Sequence, residues 1–194
     1  MPRADIDTDA MVPQRWLITT EREGLGEGLF SNWRYPEPEG PPDPQFVLNR
    51  SRYADARIIV AGPNYGCGSS REHAVWAHLD YGIDAVIAPS FGPIFRDNAF
   101  KNGLLAITAD EGLVADILRQ LESERTPHME IDLRSCTITA PDETVSQFVI
   151  DEVIRDALLS GRDEIANTLA FLDEIEKFQD RDRTSHPFIW PPRK

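Results

Sequence analysis

What this chain of 194 residues lacks narrows its chemistry before any motif is considered. It has two cysteines, too few for a disulfide framework at this size, so reduced thiols and a cytoplasmic setting are expected. No apolar run approaches the roughly 20 residues that span a bilayer. The opening "MPRADIDTDA" carries no apolar core of a signal peptide, so neither export nor membrane association is expected. Positive charge is also scarce: 20 Lys and Arg stand against 33 Asp and Glu, a net charge of −13. Nucleic-acid binding needs clustered Lys and Arg, so no nucleic-acid partner is expected. An acidic chain that binds an anion must do so locally, through an arginine or a helix N-terminus.

Lysine is absent before Lys101, which excludes the phosphate loop G-x-x-x-x-G-K-[ST] from the glycine-rich part of the chain. The dinucleotide fingerprint G-x-G-x-x-G fails as well, because Arg71 stands where the third glycine would follow Gly66 and Gly68. Metal-ligand spacing is missing: Cys67 and Cys136 stand alone, with no C-x-x-C and no paired histidines. "DIDTD" (5–9) is not a calcium loop, since Ala10 and Trp16 occupy the positions of its glycine and its glutamate.

With 41% hydrophobic residues, the chain can build one sizeable core, and a single domain over 1–194 is expected. Residues 1–55 read as irregular, because Gly and Pro are too dense between Glu21 and Phe46 for continuous helix or central strand. Leu25, Leu29, Phe30 and Trp33 nevertheless need burial. Over 56–150 the rhythm becomes α/β. "RIIVAG", "DAVIAP" and "LLAIT" read as strands, with helices over Arg71–Tyr81, in "FRDNAFKNG" and in "DEGLVADILRQLESE". Leu113, Ile117 and Leu121 lie on one face of the last. "MEIDL" and "CTIT" form a hairpin around Arg134–Ser135. Two helices, Glu152–Leu159 and Arg162–Phe178, fill 151–194, with Gly161 between them and an apolar stripe of Ile165, Leu169, Leu172 and Ile175 in the second.

The chemistry concentrates in "AGPNYGCGSSREHAVWAHLDYG" (61–82), at the carboxyl end of the first parallel strand, where α/β sheets hold their sites. Ser69-x-x-Glu72 fits a capping box, with Ser69 accepting from the Glu72 amide and Glu72 reaching back. Cys67 beside a helix start, with His73 near, resembles a thiol nucleophile, but a small buried cysteine explains it better. His78 reads as surface or as a satisfied core residue. The remaining reading is an anion site, in which helix amides and Arg71 grip a carboxylate bidentately. A serine hydroxyl beside them acts as a base only where the same positive field stabilises its alkoxide.

These residues carry a family likeness. "NYGCGSSREHAVWAHLDYGIDAVIAPSFGPIFRDNAFKNGLLAI" (64–107) resembles the signature of the 3-isopropylmalate dehydratase small subunits, relatives of the aconitase swivelling domain. "DIDTDAMVPQRWL", "LFSNWRY", "FVLNRSRY" and "LLSGRDEIANTLAFLDEIEKF" resemble other segments of that family. The resemblance implies an α/β fold of the swivelling β/β/α type. It also implies a hydro-lyase active only with a large subunit that carries a 4Fe–4S cluster, acting as a Lewis acid. The implied reaction converts 2-isopropylmalate to 3-isopropylmalate through isopropylmaleate, in leucine biosynthesis. Two cysteines could not ligate such a cluster in this chain. By position, Ser69 matches the catalytic base and Asp9 an active-site aspartate. Arg71 and Ser70 match substrate-binding residues, and Arg15 a second substrate arginine. Tyr65, Val75 and Ala10 depart from the commoner Phe, Pro and Gln. Related two-subunit hydro-lyases (homoaconitase, citraconate or dimethylmaleate hydratase) and a non-catalytic assembly module remain the alternatives. Within loop 24–34, Leu25, Leu29 and Phe30 would suit an isopropyl group, whereas Arg22 and Arg34 would suit a further carboxylate.

Overall fold

Three short apolar strands, β1 (Ile58–Val60), β2 (Ala85–Ala88) and β3 (Leu105–Thr108), pair in parallel in the order β1-β2-β3. The computed structural model describes residues 1–18, 21–37, 40–123, 128–161, 168–169 and 171–190. Successive side chains of a strand face opposite sides, and here both sides are covered, as a parallel sheet requires. Ile59, Val86 and Ala106 enter one cluster with Ala74, Val75, Phe95 and Ala99. Val60, Ile87, Leu105 and Ile107 enter a second with Val114, Ile117, Ile138 and Phe148.

The first third is less irregular than its Gly and Pro content suggests. It holds α1 (Thr8–Met11), α2 (Ser31–Arg34) and short 3-10 turns at Gln14–Trp16, Leu25–Gly28, Val47–Asn49 and Ser51–Tyr53. The expected burial holds for Leu25, Leu29 and Phe30, which are almost wholly enclosed. Trp33, partly buried, stacks on Phe30 with centroids 5.4 Å apart.

The crossovers are α3 (Glu72–Tyr81) and α4 (Pro93–Asn102), each closed by a left-handed glycine, Gly82 and Gly103. After β3, α5 (Glu111–Ser123) turns Val114 and Ile117 into the second cluster, with Leu113 and Leu121 partly buried beside them. The expected hairpin is present as β4 (Glu130–Asp132) and β5 (Thr137–Thr139), and β6 (Val145–Gln147) extends it to an antiparallel three-stranded sheet. That third strand escapes sequence reading because its one apolar residue, Val145, faces solvent.

At the C-terminal end, α6 (Glu152–Ser160) is capped by the Asp151 carboxylate and stops at Gly161. The helix expected over Arg162–Phe178 is corrected. Residues 162–167 and 170, with Ile165, lie outside the described residues, and the helix that follows, α7, spans Leu172–Ser185. Its expected apolar stripe faces no core: Leu169 and Leu172 are exposed and Ile175 is half-buried. Periodicity shows which residues share a helix face, not what covers that face.

The link from β1 to α3, residues 61–71, runs between two other chain segments. On one side Asp5 N donates to Pro63 O, Gly66 N to Ile6 O and Thr8 N to Cys67 O, at 2.8–3.0 Å. On the other, Tyr65 N donates to Ser90 O and Gly92 N to Tyr65 O, at 3.0 and 2.8 Å. The approach is close enough that a Cβ on Gly92 would overlap the Gly66 carbonyl, and one on Gly66 the Phe95 ring. Gly66 also has φ +74°, a conformation costly for residues with a side chain.

Beneath this link lies a closed polar pair. Tyr65 Oη donates to His78 Nε2 at 2.6 Å, and His78 Nδ1 lies 2.6 Å from the Ala74 carbonyl. A carbonyl only accepts, so Nδ1 carries a proton, and the low pKa given by burial leaves Nε2 without one at neutral pH. Both side chains are fully buried. Burial lowers the His78 pKa to about 4, only partly opposed by the Ala74 bond.

Two outcomes follow from this packing. Gly92→Ala is expected to lower the unfolding free energy by about 2 kcal/mol or more, since backbone rather than a flexible side chain must yield. A urea midpoint equal to wild type would contradict it. His78 binds its proton more readily unfolded than folded, so its contribution falls as pH drops from about 6.5 to about 4. Over that range wild type should lose on the order of 2–3 kcal/mol more than His78→Gln, measured by urea unfolding at each pH; parallel curves would refute it.

Candidate active site

Ser69, Ser70 and Arg71 lie at the end of the pinned link, directly before α3. Ser69 and Ser70 are exposed, and their hydroxyls are tied to no described residue. The capping box is overturned. The N-cap of α3 is Arg71, in extended conformation with no side-chain cap. Glu72 Oε1 instead accepts from Asn102 Nδ2 at 2.8 Å. Ser69 stands two residues before the N-cap, too early to reach the first amides in the capping geometry. Neither Arg71 nor the expected capping box thus supplies a cap at this end of the helix, which favours negative charge.

Arg71 is largely enclosed and donates through Nη1 to Asp9 Oδ1. Asp9 itself is more than half exposed and sits in the first turn of α1, where Asp7 caps the Ala10 amide at 2.6 Å. Asp9 and Arg71, 62 positions apart, thus meet, while Thr8 Oγ1 donates to Ser69 O at 2.8 Å. Sequence reading singled out Asp9 but missed Thr8 between the two aspartates. A threonine at a helix start reads as a local cap, and its distant acceptor leaves no local signal. Arg15 is engaged elsewhere: it is exposed and donates to Asn32 Oδ1 at 2.6 Å and Ser31 Oγ at 2.8 Å. It shares no hydrogen bond or ion pair with Asp9, Ser69 or Arg71 among the described residues.

Cys67 is no poised nucleophile. Partial desolvation pushes its thiol pKa up, and the nearby Asp7 and Asp5 charges add to the rise, the opposite of an activated thiolate. His73 packs on Trp76, with ring centroids 4.8 Å apart. His78 is the satisfied core residue that the sequence allowed. Among the described residues no three His, Cys, Asp or Glu side chains gather as metal ligands, and both cysteines are free.

The side chains considered in and beside loop 24–34 make contacts within the chain. Leu25, Leu29 and Phe30 are spent in the core. Arg34 is a strut: Nε donates to Asn49 Oδ1 at 3.3 Å, Nη2 to Tyr35 Oη at 3.2 Å, and its plane lies over Tyr81. Arg22 lies over Trp76, 5.0 Å from the ring centroid. A concavity of about 810 Å³ opens beside β1, lined by Phe46, Tyr53, Leu118 and Leu121, but contains none of Asp9, Ser69, Ser70 and Arg71. Enzyme sites are enclosed clefts. The Ser69–Arg71 surface is open, which is the form of half a site.

Comparison with known proteins agrees with this form. Residues 1–112 match the aconitase C-terminal domain family. A 3-isopropylmalate dehydratase small subunit from Bordetella parapertussis is 47% identical over 97% of this chain and 93% of its own length. One from Roseiflexus castenholzii is 46% identical over 96% and 89%. A crystal structure of 3-isopropylmalate dehydratase from Methanocaldococcus jannaschii superposes with a TM-score of 0.63 at 30% identity, covering 92% of this chain and 93% of that one. The chain belongs to the aconitase C-terminal domain family, among the 3-isopropylmalate dehydratase small subunits.

Proposed function

We propose that this chain is the proton-transfer and carboxylate-binding half of a two-subunit hydro-lyase that isomerises 2-isopropylmalate to 3-isopropylmalate through isopropylmaleate, in the cytoplasm. The observation that carries the reading is the exposed Ser69 hydroxyl, which has no hydrogen-bond partner among the described residues, close in sequence to Arg71 at the N-terminus of α3. The substrate is a 2-hydroxy dicarboxylate. Arg71 receives one carboxylate in a bidentate grip, with Ser70 and the first amides of α3 as further donors. Asp9 orients the guanidinium. Arg15, held by Asn32 and Ser31, keeps its part as a second substrate arginine only from the family resemblance.

Ser69 acts as the base. Its alkoxide, stabilised by Arg71 and the helix amides, takes the proton from the carbon next to a carboxylate and becomes a hydroxyl. In the hydration step the hydroxyl returns that proton to the neighbouring carbon. The large subunit closes the open face and brings the 4Fe–4S cluster with its Lewis acidity. The donors of this chain do not fit a cluster, because two lone cysteines cannot supply the thiolates it needs. The part of this chain is binding and proton transfer. With Arg34 committed as a strut, one cation that would have favoured a tricarboxylate is withdrawn. Leu25, Leu29 and Phe30 are enclosed in the core as well, so the isopropyl side group rests on the 3-isopropylmalate dehydratase small subunits that this chain resembles.

The test is reconstitution with a cluster-bearing large subunit and assay on 2-isopropylmalate beside other 2-hydroxy acids. Preference for a different acid would reassign the substrate. Ser69→Ala is expected to lower kcat by about 10²-fold or more while the complex still forms; near-normal turnover would sink the base assignment. Arg71→Lys should raise KM by about tenfold or more, because a point charge cannot reproduce a bidentate grip. Unchanged kinetics would remove Arg71 from the substrate site.

A further inference from the structure

Residues 68–70 form an exposed turn with little to hold it. Gly68 has φ +90°, and Ser69 and Ser70 face solvent. Among the described residues, the one hydrogen bond to this turn is the donation from Thr8 Oγ1 to Ser69 O, at 2.8 Å. Thr8 is 2% exposed. Its amide donates to Cys67 O at 3.0 Å, so a single residue grips carbonyls on either side of Gly68. Gly68 curls over that residue, and a Cβ placed on it would lie 3.9 Å from Thr8 Oγ1 and 3.5 Å from Asp7 Cβ. A helical threonine would ordinarily donate to a carbonyl of its own preceding turn. At the first position of α1 no such turn exists, and the hydroxyl reaches 61 residues along the chain instead.

Thr8 itself is fixed. Asp7 bridges to Cys67 and caps α1, and Met11 behind it is fully buried. The next residue, Asp9, holds the Arg71 guanidinium. Consecutive residues of one short helix therefore hold the backbone of Ser69 and the side chain of Arg71. The distance between base and carboxylate-binding group is set by a rigid template rather than by the exposed turn.

We propose that Thr8 is a positioning residue for proton transfer, its hydroxyl fixing the Ser69 backbone so that Oγ meets the substrate carbon. The proposal rests on the reading of Ser69 as base. Thr8 touches no substrate; it acts through Ser69. A reacting atom displaced by about 1 Å can cost on the order of 10²-fold in rate, and an exposed turn without its anchor has that freedom.

The experiment uses the reconstituted two-subunit enzyme, with kcat and KM measured separately for each variant. Thr8→Val keeps shape and removes the hydroxyl; Thr8→Ser keeps the hydroxyl and removes the methyl. Thr8→Val is expected to lower kcat by about tenfold or more with KM little changed and the complex intact, and Thr8→Ser to restore most of the rate. Where Thr8→Val does not fold, Thr8→Ala removes the same hydroxyl and is read in its place. In the Ser69→Ala background, Thr8→Val should cost nothing further, since it acts through the missing group. Wild-type kcat in Thr8→Val overturns the proposal. So does Thr8→Ser impaired as much as Thr8→Val, or an equal loss with and without Ser69. If Ser69→Ala alone turns over normally, the base assignment fails first, and that result is read without reference to Thr8.

Discussion

The structure depends on one close approach of backbones. The link between β1 and α3 lies between the 5–8 segment and the 90–92 segment, bonded to both, with glycines where the chains come nearest. Everything the site needs is fixed there. The link ends at Ser69–Arg71, the 5–8 segment leads into Thr8 and Asp9, and the 90–92 segment starts α4, whose Phe95 packs beneath Tyr65. A side chain at Gly66 or Gly92 would disturb three segments at once, so the glycines of the motif are explained by contact before any question of ligand.

That constraint also explains what is buried below. The Tyr65 ring fills the space under the link, in edge contact with Phe91, Phe95 and His78. Its hydroxyl must then find an acceptor in a dry core, since an unpaired hydroxyl costs on the order of 1–3 kcal/mol. His78 supplies it, and is in turn fixed by the Ala74 carbonyl one helical turn earlier.

How much of this was legible in the sequence follows from range. The parallel strands, their crossover helices and the stops at Gly82, Gly103 and Gly161 are local patterns, and they were readable. The placement of Ser69 and Arg71 at the carboxyl end of β1 follows from the same alternation. The capping box misled because S-x-x-E is a necessary pattern for that cap, not a sufficient one: Glu72 found Asn102 on α4 instead. Leu25, Leu29 and Phe30 were rightly expected to be buried, but the sequence offered them equally to a ligand pocket and to the core. Thr8 was illegible, since nothing local distinguishes a threonine that caps its own helix from one that holds a turn 61 residues away. β6 and the span of α7 were missed because neither presents its apolar residues to a core.

The acidity of the chain poses a last physical question, how a dianion approaches a protein with net charge −13. Exposed charges more than about 8 Å apart are largely screened at physiological salt, so most of the 33 acidic residues count for little at the site. What remains is local: Arg71 and the N-terminus of α3, opposed by Asp9, by Glu72 in that first turn and by Asp5 and Asp7 near Cys67. Asp9 lowers the cost of holding a largely enclosed guanidinium in the free subunit, but it also competes with a substrate carboxylate for the same donors. Its exposure decides the balance. More than half solvated, Asp9 is partly screened by water and attracts less than a carboxylate sealed under the partner's surface would. If Arg71 binds substrate as proposed, a carboxylate sealed against it feels a lower effective dielectric, and so a stronger attraction, than a carboxylate left in contact with water. On the proposed reading, an open half-site in an acidic chain binds its anion strongly in the complex and weakly alone.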